Sequence, residues 1–457
     1  MRMMATKFVA ACAAVVFAAG AFAQAGGPGQ PWRGAGPQPC FGIDGGATQC
    51  AARPEKLAVR AGHLFDSNAG RVLADQVILI DGERIAEVGP AASVTIPSGV
   101  RVLDLRAATV LPGLIDAHTH MFNAPKPGVS HEMATLIAIQ NTQADLRAGF
   151  TTIRDMSSHG NGYADVEIRN AIDKALVEGP RQQVSTRGIV WGAPGAPAGD
   201  PLASAVVRDE AEARAAVRDQ IEHGADWIKL FPGGAYSFTP SGEAQYVTQY
   251  PLPVLQALID ETHRLGHKTA CHVFGGEGLK NAIAAGCDTV EHAFALDAGL
   301  AREMVAKGLF YDPTLQRYLE PYMDDNDDKA TGGKYRMTAI FAKAVQTANA
   351  TPGLKIMVGS GADGSTYVHG TQALDLEALV KRGGLTSARA LQGATIVNAE
   401  ALGWKDRIGS VEKGKYADLV AVARDPLADI TEMQRVKFVM KGGKIIRDEL
   451  SGAAPTR

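Results

Sequence analysis

The stretch Pro112-Gly113-Leu114-Ile115-Asp116-Ala117-His118-Thr119-His120 indicates both the fold and the chemistry of this chain. It continues an apolar strand, Val110-Leu111, and ends in two histidines one residue apart. Because residues i and i+2 of an extended strand point to the same side, both imidazoles can bind one divalent metal at the carboxyl end of the strand. His-x-His pairs also occur on surfaces that hold no metal, so the motif needs further ligands.

A repeating unit follows this strand: an amphipathic helix, a glycine and an apolar strand. Glycines stand before three such strands, at Gly149, Gly224 and Gly266. A glycine just past a helix readily adopts the left-handed conformation that ends the helix. Strands that alternate with helices pair in parallel through right-handed crossovers. The series therefore predicts an α/β fold, a closed (β/α)₈ TIM barrel over residues 112–402.

β patterns flank this barrel on both sides. On the N-terminal side, Asp81-Gly82 separates two apolar runs, which is a strong hairpin signal. On the C-terminal side, β patterns return at 418–422 and 436–440. We expect segments 55–111 and 403–450 to form one discontinuous β subdomain, a small β-sandwich in which N- and C-terminal strands pair.

The N-terminus is typical of an exported protein. Residues 1–23 combine basic residues, an apolar run and the small-x-small sequence Ala21-Phe22-Ala23, which together predict a signal peptide. The expected location is therefore periplasmic or secreted. Residues 24–54 form a Gly- and Pro-rich arm, in which Cys40 and Cys50 either pair in an oxidising compartment or remain free thiols.

Two further cysteines, Cys271 and Cys287, lie in apolar runs and are expected to be buried core thiols. The 457-residue chain has a formal net charge of −3, so nucleic acid is not an expected partner. Past the signal peptide, no uninterrupted apolar stretch is long enough for a membrane span. The expected partner is a small molecule, and assembly into a homo-oligomer is left open.

Four more polar side chains end or follow apolar runs, namely Lys229, His272, His292 and Asp363. Barrel active sites lie at the carboxyl ends of the strands, where these residues would meet His118 and His120. Each has an ordinary explanation by itself: a surface lysine, two core histidines and a helix cap. Their coincidence at successive strand ends favours a metal site.

These residues stand in motifs that resemble the amidohydrolase superfamily of metal-dependent (β/α)₈ hydrolases, from about residue 56 to 447. The motifs are the opening stretch, Gly149-Phe150-Thr151-Thr152-Ile153-Arg154-Asp155, Gly224-Ala225-Asp226-Trp227-Ile228-Lys229, Glu291-His292-Ala293 and Asn398-Ala399-Glu400-Ala401-Leu402-Gly403. The chain is most similar to the branch of prolidase-like dipeptidases, imidazolonepropionase-like proteins and ochratoxin-type amidases.

The resemblance implies two divalent metals, expected to be zinc. It assigns His118 and His120 to one metal and His272 and His292 to the other, with carboxylated Lys229 as the bridge. Asp363 would contact a metal and act as the catalytic proton shuttle. Two cations that share a water lower its pKa and supply hydroxide at neutral pH, which would attack the amide bond of a dipeptide or an N-acyl amino acid.

Two other hypotheses remain at this point. One is a mononuclear cyclic-amide hydrolase, similar to imidazolonepropionase, or a deaminase, with Lys229 unmodified. The other is a scaffold without catalysis, against which the complete ligand set argues.

Contacts to the substrate are harder to assign. Tyr236, Arg154 and His159 lie on predicted loops and are candidates, although packing and surface roles explain them equally well. His369 is an alternative group for proton transfer. The chain has Phe274 where related dipeptidases carry the second histidine of His-Ala-His-Gly, so a polar substrate contact is expected to be missing.

Overall fold

The computed structural model describes residues 55–123, 126–193, 199–319, 337–364 and 367–450, and the backbone of Cys40–Phe41 and Ala47–Thr48. The predicted signal peptide and Cys50 lie outside the described residues. The chain divides into two compact units, Met1–Ala51 and Ala52–Arg457. In the first unit, strand β1 (Cys40–Phe41) pairs antiparallel with β2 (Ala47–Thr48).

The strands of the second unit carry the site and the small sheet beside it. In chain order they are β3 (Leu57–Asp66), β4 (Arg71–Asp81), β5 (Arg84–Pro90), β6 (Arg101–Pro112), β7 (Leu114–Thr119), β8 (Phe150–Asp155), β9 (Arg181–Val184), β10 (Gly188–Trp191), β11 (Ser204–Val207), β12 (Trp227–Gly233), β13 (Tyr236–Phe238), β14 (Ala244–Tyr246), β15 (Lys268–Val273), β16 (Thr289–His292), β17 (Phe310–Asp312), β18 (Lys355–Ile356), β19 (Leu419–Val422), β20 (Phe438–Lys441) and β21 (Lys444–Asp448).

Helices follow most of the barrel strands, as the sequence pattern predicts. They are α1 (His131–Arg147), α2 (Ala164–Asp173), α3 (Glu210–Glu222), α4 (Leu252–Arg264), α5 (Gly276–Ala285), α6 (Ala298–Lys307), α7 (Met337–Ala350), α8 (Ala373–Lys381), α9 (Ser387–Gln392) and α10 (Asn398–Ala401), with a π-helical turn at Gly393–Val397 and 3₁₀ turns at Leu315–Tyr318 and Ile430–Arg435. Gly286 and Gly308 end α5 and α6 with φ of 84° and 70°. A side chain there would be strained, which explains glycine at these two positions.

The barrel is closed by parallel pairing. Strands β7, β8 and β9 form one ladder, and β10, β12, β15, β16, β17 and β18 form another. Asp226 N donates to Val184 O (2.8 Å), which joins the ladders on one side. Ala117 N donates to Val358 O (3.0 Å), which joins the last strand to the first. The predicted TIM barrel is confirmed, and its strand ends meet on one face.

The predicted β subdomain is a seven-stranded sheet in the order β21-β20-β19-β6-β3-β4-β5. Its strands form one continuous ladder rather than two separate sheets, and the N- and C-terminal segments meet where β6 pairs antiparallel with β19. Val110 and Leu111 therefore belong to this sheet and not to the strand of the two histidines, which begins after Gly113. An apolar core of its own, including Leu57, Ile78 and Phe438, holds the sheet together.

The expectation of two buried free thiols is wrong. Cys271 and Cys287 are fully buried, but their sulfurs are bonded to each other, with the Cα atoms 6.3 Å apart. The bond links β15 to the residues just before β16. Cys271 directly precedes His272, so the crosslink lies beside a candidate metal ligand.

Among the described residues, no helix has both the length and the apolar composition needed to cross a bilayer.

Candidate active site

Four imidazoles gather at the carboxyl ends of β7, β15 and β16. The ring centroids of His118 and His120 are 5.3 Å apart, those of His118 and His292 are 5.1 Å apart, and those of His272 and His292 are 4.5 Å apart. Nε2 of His292 and Nδ1 of His272 approach to 2.9 Å. Burial lowers the pKa of His118 to about 4, so its imidazole is neutral and able to bind a metal at physiological pH.

Lys229 lies among these rings. It is on β12, next to the strand of His272, and it is buried. Its Nζ makes no hydrogen bond with any described residue. Burial lowers the pKa of Lys229 to about 8, and its charge lowers the pKa values of all four imidazoles. A buried ammonium without a partner is costly, which favours the neutral amine that can react with carbon dioxide.

Asp363 follows β18 at the edge of this cluster. His120 N donates to the carbonyl of the preceding residue, Ala362 (2.8 Å), so Asp363 lies beside the first histidine pair. Its Oδ1 accepts from Tyr367 N (3.2 Å), and its Oδ2 accepts from Arg317 Nη2 (3.0 Å). The carboxylate is thus fixed by neighbours on two sides.

A layer of charged side chains lies beneath His118. Nδ1 of His118 donates to Glu291 Oε2 (2.7 Å), which leaves Nε2 as the lone-pair nitrogen. Arg154 donates from Nη2 to Glu291 Oε1 (3.0 Å) and from Nη1 to Thr289 Oγ1 (3.1 Å). Both charged partners are fully buried. The arginine charge and the imidazole hydrogen bond lower the pKa of Glu291 although burial opposes the shift, so an ionised carboxylate orients His118.

Asp312 completes this layer from the end of β17. Its carboxylate is 3.8 Å from Arg154 Nη2, and neither oxygen has a hydrogen-bond partner among the described residues. Ligand atoms of His118, Glu291 and Asp312 all lie within 4.8 Å of one another, an arrangement that could hold a cation. A methyl group at Gly359 would overlap both the Asp312 carboxylate and Cβ of His118, so glycine permits this close packing.

His292 is held differently. Its Nδ1 donates to Thr314 Oγ1 (2.6 Å), whose own hydroxyl donates to Pro313 O (2.7 Å). The backbones of His292 and Thr314 are both left-handed, with φ of 70° and 48°. Such conformations cost energy in residues other than glycine and concentrate at functional sites.

Aromatic rings pack around the second pair of histidines. Phe274 lies 4.9 Å from His272 and stacks on Phe294 at 4.3 Å, and Tyr318 lies 5.1 Å from His292. Tyr236 meets Phe274 and Phe294 edge-on, at 5.8 and 6.2 Å. We call these four rings the aromatic wall. They make that side of the site apolar.

The structure places the four candidate substrate contacts very differently. Tyr236 is on β13 in the aromatic wall, and His159 stacks on His120 at 4.3 Å, so both border the site. Arg154 lies in β8 and not in a loop, and its guanidinium is fully buried and bonded to protein groups. His369 is bonded through Nδ1 to Asp145 (2.9 Å) and through Nε2 to His120 O (3.1 Å). These bonds leave neither ring nitrogen of His369 facing a substrate.

Several residues of the site have no role predicted from the sequence. Glu291 stands within the motif Glu291-His292-Ala293, and Asp312 ends an apolar strand, so the rule that polar residues at strand ends reach the site also covers these two. Thr314 and Arg317 follow β17 and carry no comparable local signal.

The donor set fits a metal centre. Neutral imidazoles are preferred ligands of zinc-like ions, and nitrogens of His272 and His292 lie only 2.9 Å apart. The amine of Lys229 is buried and has no hydrogen-bond partner within the described part of the chain, as an unmodified bridging residue would be.

The comparisons with known proteins agree with this geometry. Residues 109–446 match the Amidohydrolase family. The ochratoxinase of Aspergillus niger is 27% identical over 434 residues, which covers 86% of this chain and 87% of the relative.

Two solved structures are similar over the same region. A Xaa-Pro dipeptidase with methionine bound in its active site superposes with a TM-score of 0.75 and 27% identity, covering 86% of this chain and 100% of the dipeptidase. A prolidase complexed with N-methylphosphonate-L-proline gives a TM-score of 0.73 and 27% identity, covering 86% of this chain and 100% of the prolidase.

Proposed function

The chain belongs to the amidohydrolase family of metal-dependent hydrolases that act on carbon–nitrogen bonds, and from this premise we propose that it cleaves the amide bond of a dipeptide or an N-acyl amino acid. The single observation that carries the proposal is the gathering of four imidazoles, two of them fully buried, near the buried amine of Lys229, whose Nζ has no hydrogen-bond partner among the described residues. Two structural relatives hold an amino acid or an amino-acid derivative: the dipeptidase binds methionine, and the prolidase binds N-methylphosphonate-L-proline. These ligands support the proposed substrate class.

In this proposal two divalent ions, zinc being the expected metal, are held by the two histidine pairs and by carboxylated Lys229. When bound, they would lower the pKa of a water and polarise the scissile carbonyl. The proposed ligands come from five barrel strands or the loops that follow them, so the barrel fixes their relative positions. They are His118 and His120 on and just after β7, Lys229 on β12, His272 on β15, His292 on β16 and Asp363 in the loop after β18.

Proton transfer is assigned to Asp363. It accepts a proton from the attacking water and passes it to the leaving nitrogen, a task for one positioned carboxylate. Arg317 and the backbone of Tyr367 hold that carboxylate in place. The aromatic wall faces the same space from the opposite pair of histidines and excludes water there.

Metal analysis and a substrate panel test the proposal. We expect two metals per chain in protein loaded with zinc, a carboxylated lysine in a high-resolution map, and turnover of at least one dipeptide or N-acyl amino acid. One tightly bound metal and an unmodified Lys229 would contradict the binuclear centre and favour the mononuclear cyclic-amide hydrolase. Absence of amide turnover by fully loaded protein would contradict the substrate class.

We also infer export to the periplasm or the medium. The predicted signal peptide motivates this inference, and the buried Cys271–Cys287 bond supports it because disulfides persist in oxidising compartments. Mass spectrometry of the native product tests it. The expected N-terminus is near Gln24, and a mature chain that begins at Met1 would contradict export.

A further inference from the structure

We propose that Arg317 binds a free carboxylate on the leaving side of the substrate, so that the enzyme selects N-acyl α-amino acids over neutral amides. This inference rests on the proposed function and names the residue that would read the substrate's charge. Arg317 lies in the 3₁₀ turn Leu315–Tyr318, directly after β17, and its side chain is 25% exposed.

Few positive charges lie near the site histidines. Three cationic side chains lie close enough to the site histidines to lower their pKa values: Lys229, Arg154 and Arg317. Lys229 is buried among the imidazoles, and Arg154 is buried and paired with Glu291. Of these three, Arg317 is the one whose side chain is partly exposed.

Most N–H groups of the Arg317 guanidinium are not used by the described residues. Arg317 donates from Nη2 to Asp363 Oδ2 (3.0 Å). Its Nε and Nη1 groups make no hydrogen bond with the described residues, although a guanidinium offers five donors in a planar fork. The aliphatic part of Arg317 lies against Gly361. A methyl group added at position 361 would be only 3.2 Å from Arg317 Cγ. The remaining N–H groups can therefore donate to a substrate carboxylate while the bond to Asp363 is kept.

The role of Asp363 determines which end of the substrate lies next to Arg317. Asp363 delivers its proton to the leaving nitrogen, so that nitrogen must come close to the Asp363 carboxylate. In an α-amino acid, a single carbon separates this nitrogen from the carboxylate. A substrate placed for protonation by Asp363 consequently brings its leaving-side carboxylate next to Arg317. An acyl-side carboxylate would extend away from Arg317, past the scissile carbonyl.

A binding experiment tests the inference without requiring turnover. The probes are 3-benzoylpropionate, a non-cleavable isostere of N-benzoylglycine with CH₂ in place of NH, and its carboxamide. Titration calorimetry on zinc-loaded protein should show tighter binding of the acid, by roughly 10–100-fold, as expected for charge-assisted hydrogen bonds. Arg317→Met should abolish this ratio. Arg317→Lys should keep part of it, since it retains the charge but not the fork.

Arg214→Met is the matched control. Arg214 lies on the outer helix α3, 38% exposed and 3.6 Å from Glu261, and its loss should leave the ratio unchanged. Because neither probe has a leaving nitrogen, the ratio does not depend on proton transfer by Asp363.

Kinetics on N-benzoylglycine and N-benzoylglycinamide, or on a better cleaved pair from the substrate panel, provide the second test. Arg317→Met should lower kcat/KM for the acid, mainly through KM, and reduce it much less for the carboxamide. Equal binding of the two probes to the wild type, or an acid preference that survives Arg317→Met, would overturn the inference. Wild-type protein that binds the acid preferentially but cleaves no amide would instead overturn the proposed function alone.

Discussion

The two histidine pairs of the site are held by different forces. His118 lies in β7, and a chain of buried charges, Glu291 and then Arg154, fixes its ring. His292 has a left-handed backbone, and a neutral hydroxyl and the aromatic wall fix its ring. The first pair should therefore respond to changes of charge and the second to changes of volume. The candidate site thus has an ionic half, the first histidine pair with its charged layer, and an apolar half, the second pair with the aromatic wall.

The largest expected effect is the loss of turnover in a variant of Asp363, a residue that belongs to neither half of the site. Asp363→Asn keeps the size of the side chain but removes the group that accepts a proton, so turnover should fall by roughly 10²–10⁴-fold. KM should change much less, because the loss affects the transition state. Metal analysis of the variant is the control. Near-wild-type turnover with both metals bound would show that Asp363 is not the shuttle.

In the apolar half of the site, the expected loss is one of stability, caused by poorer packing. Phe294 is buried, stacks on Phe274 and contacts Phe341, each with ring centroids 4.3 Å apart. Phe294→Ala should lower the free energy of unfolding by about 3–5 kcal/mol, because it leaves a cavity. Denaturant titration measures this loss. Leu136→Ala, at an exposed position on α1, is the control and should stay within about 0.5 kcal/mol of the wild type.

The ionic half should fail through charge. Glu291→Gln removes the carboxylate that accepts from His118 Nδ1 and leaves Arg154 without its main partner. Zinc at the first pair should bind more weakly by roughly 10–100-fold, the usual effect of losing such a supporting group. Chelator competition measures it, with exposed Glu87→Gln on β5 as the control. Equal weakening at both histidine pairs would break the distinction between the halves.

The smallest expected effect is at Thr314. Thr314→Val keeps the shape of the side chain and removes one neutral hydrogen bond to His292, worth about 0.5–1.5 kcal/mol. Metal at the second pair should then bind roughly 2–10-fold more weakly, less than the loss caused by Glu291→Gln. Cobalt-loaded protein reports on both pairs through its visible spectrum. A larger loss here than for Glu291→Gln would reverse the comparison.

The sequence could predict that the candidate metal ligands lie together, because each ends or follows an apolar run, where barrel geometry leaves little freedom. Their binding of metal stays a prediction. The supporting residues could not be placed in this way. The sequence predicts a loop position for Arg154, whereas the structure places it inside β8. A buried arginine is stable only where other strands bring hydrogen-bond acceptors to it, and the local sequence does not show those acceptors. Those acceptors, Ala117 O, Thr289 and Glu291, come from distant parts of the chain.

The two buried cysteines likewise show that a contact between distant strands cannot be predicted from local sequence. Cys271 and Cys287 are 16 residues apart, and apolar neighbours predict burial for each. Their bonding depends on α5 returning the chain so that β16 lies beside β15. Burial is a local property of the sequence pattern, whereas pairing depends on the tertiary arrangement.

The meeting of β6 and β19 has a consequence for how the protein is made. Gly113, just before the strand of His118, donates its N–H to Asp418 O (2.8 Å), and Pro112 pairs with Leu419. The hairpin of β3 and β4 is local and can form early during synthesis, but one apolar edge of β6 stays open until β19 has left the ribosome. Open edges of this kind recruit other chains, and non-local pairing is slow. We therefore expect the nascent chain to need protection until its last strands arrive, and the strand of His118 gains its final anchor only then.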